Sequence, residues 1–359
     1  MLIEKIQEQI AKYSYLTFSE YMELVLFDKS GVYEKDAVFN ENGHFVTSPH
    51  ISKQFSNTLA KHFAKCSEDN GLVSVLDCGG GDATLACDFL LYLKSINKLP
   101  QNYYFLEKSK KLKEYQQKII KENNLDSCSS FTWIETCELA PKSAFIIANE
   151  FFDCLPTDIF RYFNNNYYKA VINKDFKIEW LKPKTDDLNY INKLNLPSDL
   201  PNNYCFEFSK SQKSFIDLLS SNVEQAEIII IDYGYSSKEM YLKDRNEGTI
   251  TCIGNHISDF NPLEDIGDKD ISSFVNFSFL NQILLDNNWQ CNSFLSQAHY
   301  LLSFEILENI NYNSPSEINS IKKLIMPNQM GEIFKVLIAS KNIENQNIYN
   351  LIKNDIRKL

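Results

Sequence analysis

The chain of 359 residues is 44% hydrophobic and 13% aromatic, enough for a large buried core, and no apolar run reaches the roughly 18 residues of a membrane-crossing helix. Its 36 lysines and arginines against 47 acids leave a net charge of −11, which argues against a general footprint for nucleic acid and favours basic or guanidinium-bearing partners. The 9 cysteines are odd in number and contain no C-x-x-C pair, so they read as buried thiols in a reducing compartment, and no metal site is expected. Residues 1–6 lack the basic and apolar blocks of a signal peptide. Together these features predict a cytoplasmic protein without a membrane span, and they leave the oligomeric state open.

In chain order, apolar residues at Ile3, Ile6, Ile10 and Tyr13, then at Phe18, Tyr21, Met22 and Val25, recur at helical spacing and predict two short helices, the second capped by Thr17 or Ser19. The segment from Thr47 starts a third helix running to about Lys65, with Phe55, Leu59 and Phe63 on its apolar face. A helical cap over residues 1–70 is therefore expected ahead of a main domain over 71–359. That domain begins with an apolar strand over 73–76 that runs into Asp77, Cys78, Gly79, Gly80 and Gly81, with a helix from Ala83. Strand-like runs over 103–107, 131–134, 144–151, 226–232 and 334–340 then alternate with helical ones. Such alternation predicts an α/β fold with a doubly wound, mostly parallel sheet. A hairpin over 167–181 lies in an insertion at about 160–205. A second insertion, 234–276, shows neither period and reads as a binding loop.

Glycines between a strand and a helix let the backbone turn sharply and approach a nucleotide without Cβ clashes. Asp77 before them suits a cofactor with a positive or amine-bearing end, and the loop lacks the Lys-Ser/Thr of a phosphate-binding loop. Thr84 occupies the place where a dinucleotide fingerprint puts its third Gly or Ala, so S-adenosylmethionine fits the turn better than a nicotinamide cofactor. Glu107 ends the next strand, where a carboxylate can accept hydrogen bonds from both ribose hydroxyls. Asn149, Glu150 and Asp153 follow the fourth strand, at the carboxyl edge where ligands of open α/β sheets bind. Two acids and an amide among aromatic rings can hold a cationic nitrogen acceptor. Asp232 closes the fifth strand with a further acid. His256 and His299 read as ordinary hydrogen-bonding residues, and no hydrolase motif is present.

On these residues the chain resembles the MidA-like family of class I methyltransferases, whose members include a mitochondrial protein arginine methyltransferase of complex I assembly. The resemblance runs nearly end to end. It rests on Phe18-Ser19-Glu20-Tyr21-Met22, Gly31-Val32-Tyr33, Thr47-Ser48-Pro49, the glycine turn, Asn149 to Pro156, Asp232-Tyr233-Gly234, Gly248-Thr249, Asp270-Ile271, Val275-Asn276-Phe277, Gln297-Ala298-His299 and Met330 to Val336. It implies a seven-stranded sheet, S-adenosylmethionine as methyl donor, and a protein side chain as acceptor, with an arginine ω-nitrogen a candidate. Asp77, Gly79, Gly80, Gly81 and Glu107 would hold the cofactor, and Asn149, Glu150 and Asp153 would line the acceptor side. The chain departs from the family pattern at His50, where a Glu is usual, at Ser56, where a Gly is usual, and at Asn276, where an Asp is usual. The His50 departure favours an alternative in which the protein binds the cofactor as an assembly scaffold without turnover.

Overall fold

The computed structural model describes residues 1–35, 47–254, 257–308, 310–345, 349, 352 and 354–359. Seven strands build its central sheet: β1 (Ser74–Cys78), β2 (Asn102–Leu106), β3 (Ser130–Ile134), β4 (Ser143–Asn149), β5 (Gln225–Tyr235), β6 (Gln290–Ser296) and β7 (Phe334–Lys341). Their spatial order is β3-β2-β1-β4-β5-β7-β6, with β7 antiparallel to both of its neighbours. The short strand Val275–Asn276 adds to the end of β5.

The sheet forms because its central strands are apolar on both faces, as a doubly covered sheet requires. Ile229 and Ile231 of β5 join Phe145 and Ile147 of β4 in one core, while Ile228 and Ile230 join Ile146 and Ala148 in the core on the opposite face. The strand order reverses between β1 and β4, the place where open α/β sheets leave a crevice for ligands.

The second helix, Phe18–Phe27, starts at Thr17, whose side chain accepts from the Glu20 backbone in a capping box. The third expected helix is broken. Ser48–Ile51 forms a single turn with Pro49 in its first positions, and Ser52, in extended conformation, caps a separate helix Lys53–Asn70. The two halves of the expected cap also go to different places. Leu2–Tyr13 and Phe18–Phe27 pack in a third core against the inserted strands, whereas Lys53–Asn70 packs into the main core beside Thr84–Ser95.

The expected hairpin exists as Asn166–Ile172 paired with Ile178–Leu181, and it belongs to a five-stranded sheet that also holds Leu16–Thr17, Asp158–Phe163 and Tyr204–Phe208. The stretch expected to be a loop carries a three-stranded sheet of its own, Thr251–Gly254 between Ile257–Asp259 and Asp270–Ser272. Its strands have three or four residues, too short for alternation to show in sequence. The 9 cysteines are free thiols, and among the described residues no helix is long and apolar enough to cross a membrane.

Candidate active site

The glycine turn follows β1 directly, with Gly79 at φ 67°, Gly81 at φ 52° and Ala83 at φ 67°. Three left-handed residues in five reverse the chain tightly enough for Thr84–Ser95 to begin one residue later than expected. Two cavities meet at this turn. Gly79, Gly81, Tyr33 and Glu150 line both of them.

The larger cavity has a volume of about 400 Å3 and an apolar lining from Leu106, Phe151, Leu155 and Phe215. Glu107 enters it from the end of β2. Its Oε1 accepts from the Ser109 backbone N–H at 2.8 Å and its Oε2 accepts from Gln116 Nε2 at 3.2 Å. Burial nevertheless pushes the Glu107 carboxyl up to about 7. Gln116 also donates to the Gly81 carbonyl at 2.9 Å, so one side chain fixes both the glycine loop and the acid. A slot with apolar walls and the Glu107 carboxylate at the strand end suits a nucleoside.

The smaller cavity, about 100 Å3, is lined by acids. Glu150 leaves β4 at φ 51°, a strained conformation for a residue with a Cβ, held by its N–H donating to the Ile231 carbonyl at 2.8 Å. Its carboxylate is gripped loosely, accepting from the Ser48 N–H at 3.4 Å, Asn149 Nδ2 at 3.3 Å and the Tyr233 hydroxyl at 3.4 Å. Burial lifts it to about 7. Asp153 is 6% exposed, and its Oδ1 is buried without a hydrogen-bond partner. Burial first, then the charges of Asp232, Asp270 and Glu150, drive its carboxyl well above the ordinary range. Asp232 behind it accepts from three backbone N–H groups, those of Phe152 at 2.9 Å, Asp153 at 3.2 Å and Tyr233 at 3.0 Å. Asp270 accepts from the Tyr33 hydroxyl at 2.9 Å and is raised by burial to about 6. Neither lysine nor arginine lines this cavity among the described residues.

All the sequence-predicted site residues line one cavity or the other. Glu107 lies in the larger, whereas Asp77 and Gly80, expected with it, line the acidic one together with Asn149 and Asp153. Asp77 is buried and accepts from the Tyr103 hydroxyl at 3.0 Å, and burial raises it to about 7. His50 also lines the acidic cavity, with its ring engaged by Thr47 Oγ1 at 2.9 Å and Asp82 Oδ2 at 2.8 Å. His299 lies outside both linings and meets Ser296 Oγ at 3.0 Å, and His256 lies outside the described residues. Tyr33, Tyr233 and Asp270 carry no local sequence signal for chemistry, although each falls within one of the motifs that carry the family resemblance.

These carboxyls set a pH dependence for the ligand-free fold. Asp77, Glu107 and Glu150 ionise near 7 when folded and near 4 when unfolded. Between those values the folded chain holds protons that the unfolded chain has lost, so stability falls as pH rises through the window. The melting temperature of the ligand-free protein is expected to drop from pH 5 to pH 8 by on the order of 5 °C by scanning calorimetry. A rise over that range would show that the acids are already ionised at pH 5.

Residues 56–295 match a family model described as "Putative S-adenosyl-L-methionine-dependent methyltransferase". The chain belongs to this family. It is therefore an S-adenosylmethionine-dependent methyltransferase on the class I α/β sheet. The mitochondrial protein arginine methyltransferase NDUFAF7 of Xenopus laevis is 24% identical over 360 residues, covering 89% of this chain and 80% of that protein. The bovine NDUFAF7 is 28% identical over 185 residues, covering 45% of this chain and 42% of its own length. A crystal structure from Burkholderia thailandensis, bound to S-adenosyl-homocysteine, superposes with a TM-score of 0.91 at 22% identity, covering 100% of this chain and 96% of that one. The expectation of a cytoplasmic protein does not stand, because these curated relatives are named as mitochondrial. Unpaired cysteines report a reducing environment rather than an address.

Proposed function

We propose that the methyltransferase modifies a protein side chain, an arginine ω-nitrogen, held in the acidic cavity while the cofactor spans the glycine turn. The observation that carries this reading is the cavity itself: Glu150, Asp153 and Asp270 converge on it, the buried Oδ1 of Asp153 has no partner, and no lysine or arginine neutralises them among the described residues. A buried acid cluster of this kind is costly unless protonated or paired with a cation, and a guanidinium supplies both the charge and donors in a planar fork. The name of the NDUFAF7 relatives, protein arginine methyltransferase, points the same way.

The residues present fit the cofactor. Glu107 would take the ribose hydroxyls, the apolar walls around Phe151 the base, and Asp77 and the glycines the amine-bearing end near the acidic cavity. S-adenosylmethionine supplies a methyl group already activated on a sulfonium. The protein's own contribution is alignment and charge. Glu150 orients the guanidinium, and Asn149, whose Oδ1 is buried without a partner, offers a further acceptor. As the N–C bond forms and the S–C bond breaks, the nitrogen sheds a proton, which Asp153 receives at Oδ1 once the charge of the bound guanidinium has ionised it. The His50 departure leaves these acids in place, since its ring pairs with Asp82, so the scaffold alternative gains no support from the site geometry.

The test is release of S-adenosylhomocysteine on incubation with S-adenosylmethionine and arginine-containing peptides, with methylarginine located by mass spectrometry. Methylation of arginine but not of the matched lysine peptides supports the reading. Turnover on lysine or carboxyl acceptors with none on arginine would overturn it.

A further inference from the structure

Tyr33 is the one side chain from the N-terminal segment that lines both cavities among the described residues. It sits in a single 3-10 turn, Val32–Glu34, anchored by fully buried Val32 and by the Tyr33 ring against Phe27, with centroids 5.4 Å apart. On the acceptor side its hydroxyl donates to Asp270 Oδ1 at 2.9 Å. On the cofactor side its carbonyl accepts from Ser109 Oγ at 3.0 Å, and the adjacent Glu34 Oε1 accepts from the Lys110 N–H at 3.1 Å. Ser109 is in turn the residue whose backbone N–H holds Glu107 at 2.8 Å. A continuous path of hydrogen bonds thus runs from Glu107 through Ser109 and Tyr33 to Asp270, joining the two cavities across the top of the sheet.

We infer that Tyr33 is a positioning residue that couples the two sites: ordering of the loop after β2 around the cofactor fixes the Tyr33 turn, and Tyr33 fixes Asp270 as a wall of the acceptor cavity. Asp270 needs such a holder. It lies on a three-residue strand, Asp270–Ser272, which among the described residues pairs with Thr251–Gly254 and not with the central sheet, so the rigid scaffold does not itself set the carboxylate. Coupling between two ligands is reciprocal, so acceptor binding tightens the cofactor by the same factor. The inference deepens the arginine reading and takes its probe from it.

The experiment titrates an arginine-containing peptide into the protein by calorimetry, alone and with saturating S-adenosylhomocysteine, which carries no methyl group to transfer. In the wild type the cofactor product is expected to tighten the peptide about tenfold, within the usual range for coupled sites. Tyr33→Phe cuts the path at Asp270. Ser109→Ala cuts it on the cofactor side while keeping the backbone N–H that holds Glu107. Each is expected to reduce the tightening to under about twofold, with S-adenosylhomocysteine alone bound within about threefold of wild type, and the double variant loses no more than either, as links in one chain do. Wild-type tightening retained in both single variants, or peptide binding indifferent to cofactor in the wild type, would overturn the coupling. Absence of peptide binding under every condition would instead overturn the arginine reading, and the coupling with it.

Discussion

Gly81→Val is expected to weaken binding of S-adenosylhomocysteine by at least about 100-fold, roughly 2.7 kcal/mol, while leaving the protein folded. Gly81 stands at φ 52°, where a β-branched side chain is strained by about 1–2 kcal/mol or more, and its carbonyl is pinned by Gln116 at 2.9 Å so the loop cannot relax freely. Gly81 also lines both cavities, which the proposed cofactor would span. The strain falls on a turn beyond the end of β1, outside the two main cores, and the melting temperature should fall by only a few degrees. Calorimetry on the variant decides the matter: wild-type affinity would remove the glycine turn from the cofactor site.

Glu150→Gln is expected to lower turnover by about 100-fold to 1,000-fold, the usual cost of removing one well-placed charged group from a transition state. The amide keeps the shape of the carboxyl and loses its charge. Because Glu150 lines both cavities, the split between parameters carries the information. Affinity for S-adenosylhomocysteine within about threefold of wild type places the residue on the acceptor side, and equal loss of both places it with the cofactor. The wild type adds a pH signature. Burial raises Glu150 to about 7, and only its ionised form attracts a guanidinium, so kcat/KM should climb as pH passes through about 7 and level off above it. A flat profile from pH 6 to 9 would mean that the carboxylate is ionised throughout.

Much of this site was legible in the chain because its parts are local. Asp77 lies in β1 with the glycines after it, Glu107 follows β2, and Asn149 ends β4 with Glu150 and Asp153 after it, so each motif carries its own strand with it. The acid wall was less legible. Asp270 and Tyr33 stand 237 residues apart and meet through one hydrogen bond, a distance over which no period or turn signal extends. Ser48 and Gln297, 249 residues apart, likewise join two motifs, with Ser48 Oγ donating to the Gln297 side-chain oxygen at 3.3 Å. The segment over 234–276 reads as a loop in sequence for a related reason. Strands of three residues are stabilised by what they pack on rather than by their own pattern, and Ile271 and Cys252 gain their burial from the N-terminal helices.

The sequence by itself determined a doubly wound α/β sheet and the glycine turn at its crevice, because strand-like runs and glycines after a strand act within a few residues of chain, whereas the count of seven strands rests on the family resemblance. It also determined that acids would gather at the carboxyl edge. The tertiary structure alone decided that Glu150, Asp153 and Asp270 share one buried space with Asp232 behind Asp153, that His50 turns to Asp82, and that Tyr33 lines both cavities. Burial and mutual charge, which exist only once distant segments have packed, are what lift those carboxyls.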